Sequence, residues 1–271
     1  MKIIFLNIWG GKIYEPLMKF LRQAAGDTDF FCLQEVFDSP EQRLTSWGGY
    51  ANIYASLCNA LPDFTPHYAI AMKNFDGDHA TNFPLSYGIA IFAKKNIAVL
   101  SRGDILISGE SWRGPGTAPI FPHTLHYVRF ENNGVAYTLA HLHGAAVPGS
   151  KQDTPERIAQ SQKIADFLNA EQGAKILGGD FNLMPDTESI RMIERAGMPP
   201  HQNIGGGGMR NLITEYGITS TRSPLSYGQY PEYDRQYFAD YTFVSPGVRV
   251  ARFTVPAVEV SDHLPLILEC G

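Results

Sequence analysis

The chain has 271 residues, 44% of them apolar and 12% aromatic, with only 18% charged, a balance that supplies a large core and excludes a disordered or coiled-coil protein. Its 26 glycines and 18 prolines require many tight turns between short elements, which counts against a helical bundle. With 22 Lys and Arg against 27 Asp and Glu the net charge is -5, which excludes a protein that coats duplex nucleic acid through a basic surface but leaves room for a local basic cleft. Three unevenly spaced cysteines, Cys32, Cys58 and Cys270, suggest reduced thiols rather than a disulfide framework or a zinc knuckle. No window reaches the roughly 18 apolar residues of a membrane span, and Lys2 to Leu6 is too short for a signal peptide. The expectation is a cytoplasmic protein without stable membrane insertion.

In chain order, Lys2 to Asn7 is too apolar to alternate and is expected as a strand buried on both faces. Glu15 and Pro16 start a helix, Leu17, Phe20, Leu21 and Ala24 give it one apolar face, and Gly26 ends it. Asp29 to Glu35 reads as a second buried strand, so the chain opens β-α-β, with a parallel pair and Asn7 and Glu35 at strand C-terminal ends. A helix is expected near Ile53 to Leu61. Strands follow at Tyr68 to Met72, Tyr87 to Ala93, Ile97 to Leu100, Leu125 to Phe130 and Val135 to His143, the last two joined by an Asn-Gly hairpin at Glu131 to Gly134. Residues 108 to 123 are rich in Gly and Pro and read as a long surface loop whose Trp112 and Arg113 form a candidate substrate rim.

Thr154-Pro155-Glu156 is a strong helix start, with Ile158, Ala165 and Leu168 on its apolar face. Lys175 to Asp180 is another short buried strand, and Asp186 or Thr187 caps a helix to about Ala196. Gly205 to Gly208 marks a break. Strands at Tyr241 to Val244, Val248 to Val255 and Leu264 to Glu269 close the chain. Without a linker long enough to separate two cores, residues 1 to 271 are expected as one domain.

Asn7, Glu35, His143, Asp180, Asn182, Asp240, Asp262 and His263 all fall at or just beyond strand ends, where packing does not call for polar groups. Carboxylates gathered in a cleft need a counter-charge, and an oxygen and amide set without thiolates suits Mg²⁺ or Mn²⁺ better than Zn²⁺. Taken singly, each has a plain structural alternative: Glu35 as a helix cap or salt-bridge partner, Asp180 as a cap after two turn glycines, and Ser261-Asp262-His263 as an ordinary turn.

Together, Leu6-Asn7, Leu33-Gln34-Glu35, Leu142-His143, Gly179-Asp180-Phe181-Asn182, Ala239-Asp240-Tyr241 and Ser261-Asp262-His263 resemble, in order, the endonuclease/exonuclease/phosphatase superfamily. The resemblance covers nearly the whole chain. It implies an α/β fold, a four-layer sandwich of two packed mixed β-sheets flanked by helices, and a metal-dependent phosphoester hydrolase. It also implies roles: Glu35, Asn7 and Asp262 on the metal side, Asp180 and Asn182 on the attacking water and phosphate, His263 as catalytic imidazole oriented by Asp240, and His143 as a further catalytic group. Two positions depart from the pattern. His141 stands where relatives carry an amide, and Trp9 stands where some carry a second acidic ligand.

The activity expected is a Mg²⁺- or Mn²⁺-dependent phosphodiesterase or nuclease acting on nucleic acid or nucleotide ends, with His141, Trp112, Arg113 and Arg157 as candidate substrate contacts. The alternatives are a hydrolase of a small phosphorylated metabolite or lipid headgroup, and a binding module without catalysis. The only partner expected is a phosphodiester substrate, nucleic acid or small phosphorylated molecule, met by a monomer.

Overall fold

A computed structural model describes residues 1–77, 79–110, 121–198, 207–228 and 230–271. Strand β1 (Lys2–Asn7) leads through helix α1 (Tyr14–Ala24) to β2 (Phe30–Asp38), followed by α2 (Ile53–Ala60), β3 (Phe64–Lys73), the two-residue strands β4 (Phe75–Asp76) and β5 (His79–Ala80), and β6 (Ser86–Lys94). Then come β7 (Val99–Ser108), β8 (His123–Asn132), β9 (Val135–His143), α3 (Pro155–Ala170), β10 (Ala174–Asp180) and α4 (Glu188–Glu194). The last stretch holds β11 (Arg210–Asn211), α5 (Leu212–Glu215), α6 (Pro224–Tyr227), β12 (Asp240–Val244), β13 (Val250–Thr254) and β14 (Leu266–Cys270).

The strands form two six-stranded mixed sheets, ordered β13-β14-β1-β2-β6-β3 and β11-β12-β10-β9-β8-β7. Among the described residues each sheet contains one parallel pair, β1 with β2 and β9 with β10, and each pair is joined through a helix, α1 and α3 respectively. Two β-α-β units therefore lie one in each sheet, and helices cover the outer faces.

Strict alternation within an apolar run explains the layering. Ile3, Phe5, Phe30 and Cys32 enter the core shared with the second sheet, while Ile4, Leu6, Phe31 and Leu33 enter the layer beneath Leu17, Met18 and Leu21 of α1 and Ile53 and Leu57 of α2. The sheets meet closely where Phe5 of β1 faces Gly178 of β10. A Cβ built on Gly178 would lie 2.7 Å from the Phe5 ring, so only glycine admits this approach.

Most expected elements stand where periodicity put them, β1 and β9 to the residue. Three differ. Strand β2 runs on past Glu35 to Asp38 through a register shift between Leu33 and Val36. The expected strand at Ile97 to Leu100 starts at Val99 and continues through Arg102-Gly103-Asp104 to Ser108; as the edge of its sheet it exposes one face, so it is polar where a buried strand would not be. The expected loop at 108 to 123 is shorter at both ends, since Ser108 closes β7 and His123 opens β8; residues 111–120, with Trp112 and Arg113, lie outside the described residues, as do Gly205 and Gly206.

Gly178→Ala is expected to lower the unfolding free energy by about 1–3 kcal/mol, read as a shift in the urea midpoint at unchanged slope, because the added methyl must push into the Phe5 ring.

Candidate active site

The two parallel pairs end at the same cleft. Asn7 closes β1 beside Gln34, His143 closes β9 beside Asp180, and Asp180 in turn pairs with Asp240 at the start of β12. Glu35 reaches the cleft because the β2 bulge turns its backbone to φ 58°, a left-handed conformation that costs a non-glycine residue about 1–3 kcal/mol. Trp9, Lys151 and Asn182 also adopt positive φ, at 52°, 56° and 53°, so backbone strain is concentrated around this cleft. His263 comes from the loop before β14, fastened by a bridge to Arg222 and by Ser223 N–H donating to Asp262 O at 2.9 Å. Thr221 completes the fastening, its Oγ1 accepting from the N–H groups of Ala239 and Asp240, both at 3.1 Å.

Asp180 is the hub. Asn7 Nδ2 donates to Asp180 Oδ2 and to Glu35 Oε1, each at 3.0 Å, and Asn182 N–H donates to Asp180 Oδ1 at 2.9 Å. His143 Nε2 lies 3.5 Å and His263 Nε2 3.6 Å from the same Asp180 Oδ2. Each imidazole is held from behind at Nδ1: His263 by Asp240 Oδ2 at 2.8 Å, His143 by the Tyr87 hydroxyl at 3.0 Å. The Asn182 amide is fixed at both ends, accepting from Lys151 Nζ at 2.7 Å and donating to Gly144 O at 3.1 Å.

Burial alone would raise the Asp180 carboxyl, but the charges of His263, His143, Lys151 and Arg222 outweigh it and hold the group well below the usual carboxylate range. Asp240 is driven the other way, up, by its own burial and by Asp180 next to it. His263 is pushed down to about 4 by burial and by the Arg222 charge. The two ends of the Asp240–His263 bond thus move in opposite directions, and the pair is best described as sharing one proton across 2.8 Å.

Oxygen donors dominate: Glu35, Asp180 and Asp262 line one cavity of about 640 Å³. One oxygen each from Asp180 and Asp240 and one nitrogen of His263 also lie within 4.8 Å of one another. This hard, thiolate-free set fits a divalent cation of the Mg²⁺ or Mn²⁺ kind. Asn7 lies beside Glu35. Its Oδ1 accepts from Trp9 N–H at 3.0 Å, so the amide presents N–H to the carboxylates and positions them. Asp262 is likewise engaged, with Oδ2 taking Arg222 Nη2 at 2.9 Å and Oδ1 taking Ser261 Oγ at 3.2 Å.

Trp9, Phe37, Trp47, Tyr87 and Phe121 add an aromatic wall to the same cavity, beside smaller residues such as Pro122, Ala145 and Val147. Two expected substrate contacts lie elsewhere. Arg157 is fully buried and donates to the carbonyls of Ala145, Ala146, Pro148 and Gln152, which shapes the loop after His143 and leaves nothing for a substrate. His141 is also fully buried, between the sheets, with Nδ1 accepting from Gln34 Nε2 at 2.9 Å. Sequence reasoning missed Arg222 and Tyr87. Arg222 lies in an irregular segment with no motif; Tyr87 read only as a strand aromatic.

Comparison with known proteins places these residues in context. The family model described as Endonuclease/Exonuclease/phosphatase family matches residues 4–263. No curated protein sequence matches the chain. Among solved structures, a mannosyl-6-phosphatase of Bacteroides thetaiotaomicron is 16% identical with a TM-score of 0.67, covering 100% of this chain and 99% of that one. An endonuclease/exonuclease/phosphatase family protein of Leptotrichia buccalis is 16% identical with a TM-score of 0.71 over 100% and 99% of the two chains. A humanized D. rerio TDP2 is 14% identical with a TM-score of 0.64 over 100% and 98%.

Two outcomes follow from the buried cations and imidazoles. Arg157→Met is expected to cost about 2–4 kcal/mol in chemical denaturation, since buried carbonyls lose a charged donor. Burial holds His141 well down and pushes His123 and His126 down to about 4, below the 6.5 of an unfolded imidazole. The unfolded chain then binds more protons than the folded one between those values, so stability is complete above about pH 6.5 and lost as pH falls toward 4. Unfolding free energies at stepped pH should show this fall, and His126→Phe should flatten it.

Proposed function

The chain belongs to the endonuclease/exonuclease/phosphatase family and is a phosphoesterase of that family, and from that premise we propose that it is a Mg²⁺- or Mn²⁺-dependent phosphodiesterase for compact substrates, such as nucleotide ends. The observation that carries this reading is the cavity itself, which joins the Glu35, Asp180 and Asp262 carboxylates to an aromatic wall. Lys12 and Arg222 are its only lysine and arginine among the described residues. An enzyme that grips many phosphates needs more cations than this, whereas one phosphoryl group and one planar or apolar group fit.

Glu35 and Asp180 would hold the cation, which when bound would neutralise phosphoryl oxygens and lower the cost of attack by hydroxide. Asp180 stays ionised and would orient the attacking water. His263, held at Nδ1 by Asp240 and with Nε2 turned to the Asp180 side, would take the water proton while Asp240 stabilises the imidazolium that forms. His143, fixed by Tyr87, and Asn182, fixed by Lys151 and Gly144, donate to the phosphoryl oxygens.

Glu35→Gln and His263→Ala should each lower kcat on a bis-aryl phosphodiester by at least about 100-fold, with Mg²⁺ raising the melting temperature of the wild type but not of Glu35→Gln. On oligonucleotide ends the slope of log KM against log salt should be no steeper than about 2, the value for two phosphate contacts. A substrate panel without turnover in Mg²⁺ or Mn²⁺ would overturn the reading.

A further inference from the structure

Arg222 has no motif around it and no role assigned by any resemblance. It nevertheless lines the cavity, next to Asp262 and His263. Its Nη2 donates to Asp262 Oδ2 at 2.9 Å, and its buried Nε has no acceptor. Nη1 makes no hydrogen bond among the described residues either. A guanidinium offers five N–H groups in a rigid fork and cannot lose its charge, so leaving most of them without acceptors beside a cleft is costly unless an anion comes to them. The charge also reaches the catalytic groups: it lowers the carboxyls of Asp180 and Asp240 and depresses His263.

We propose that Arg222 binds the phosphoryl group of the substrate, and that Asp262 is the residue that positions it. This rests on the reading that the cavity receives a phosphoester. Three features support it. Asp262 is occupied at both oxygens, by Arg222 and Ser261, and serves better as an anchor for the guanidinium than as an open ligand. The segment bearing Arg222 is stitched to the His263 loop, through Leu264 N–H to Thr221 O at 2.8 Å and Ser223 Oγ to Ser261 O at 2.8 Å, so the fork and the imidazole are held in one frame. Of the other cations, Lys151 donates to Asn182 Oδ1 and is not part of the cavity wall, and Lys12 lies over the Trp9 ring, which leaves Arg222 as the lining cation beside Asp262 and His263.

The probe is inorganic phosphate, titrated calorimetrically into the full-length, metal-free protein. Wild type is expected to bind it, Arg222→Met to bind about 10- to 100-fold more weakly, and Arg222→Lys to recover part of the loss, since lysine restores the charge but not the fork. Asp262→Asn is expected to weaken phosphate binding less than Arg222→Met does, because it frees the guanidinium without removing it. Phosphate affinity in a folded Arg222→Met equal to wild type would overturn the proposal, as would wild-type protein that binds no phosphate. Should Arg222→Met fail to fold, an Arg222→Lys protein with wild-type phosphate affinity would overturn it. Phosphodiester turnover by the Mg²⁺-loaded wild type tests the functional reading separately: loss of phosphate binding in Arg222→Met with no turnover by wild type leaves this assignment standing and removes that one.

Discussion

Everything at this site depends on keeping one buried carboxylate ionised. Asp180 lies where desolvation would protonate it, and the protein prevents this by converging Asn7 Nδ2, the Asn182 N–H, two imidazoles and the fields of Lys151 and Arg222 on its two oxygens. Those groups come from both sheets and from four loops. The need to hold them explains features that would otherwise be costs: the left-handed φ of Glu35 and Asn182, the buried Lys151, and the glycine at 178 that lets β1 and β10 approach.

The architecture answers that need by repetition. Each sheet carries one parallel pair with a helical crossover, and the C-terminal ends of both pairs deliver polar residues to a shared cleft. Asn7 is the tie between the halves, since its amide belongs to the first sheet and donates into the second. The aromatic wall grows from the same logic on the other side, with Phe37 and Tyr87 paired across β2 and β6 at a ring separation of 5.0 Å.

How much of this was legible in the sequence follows from the range of the forces involved. Strands β1 and β9 were readable because an apolar run bounded by polar residues carries its own period. Asn7, His143 and Asp180 were readable because each ends such a run, and Asp240 because it starts one. Strand β7 was not, since an edge strand with one solvated face carries Arg102, Gly103 and Asp104 and loses the apolar signal. Arg157 reads in the sequence as a candidate substrate contact after His143; only the folded loop shows that carbonyls of residues 145 to 152 take its donors. Arg222 was invisible for the opposite reason, because its importance comes from Asp262, forty residues away, and no local pattern records that pairing.

The pairing of β14 with β1, Lys2 opposite Glu269, braces the cleft from behind. β14 lies between β13 and β1, so the loop that carries His263 into the cleft is anchored to the strand that carries Asn7. Fraying of β14 would loosen the Asp240–His263 bond and the bridge to Arg222 together, so the local stability of one strand sets the geometry of the whole polar end.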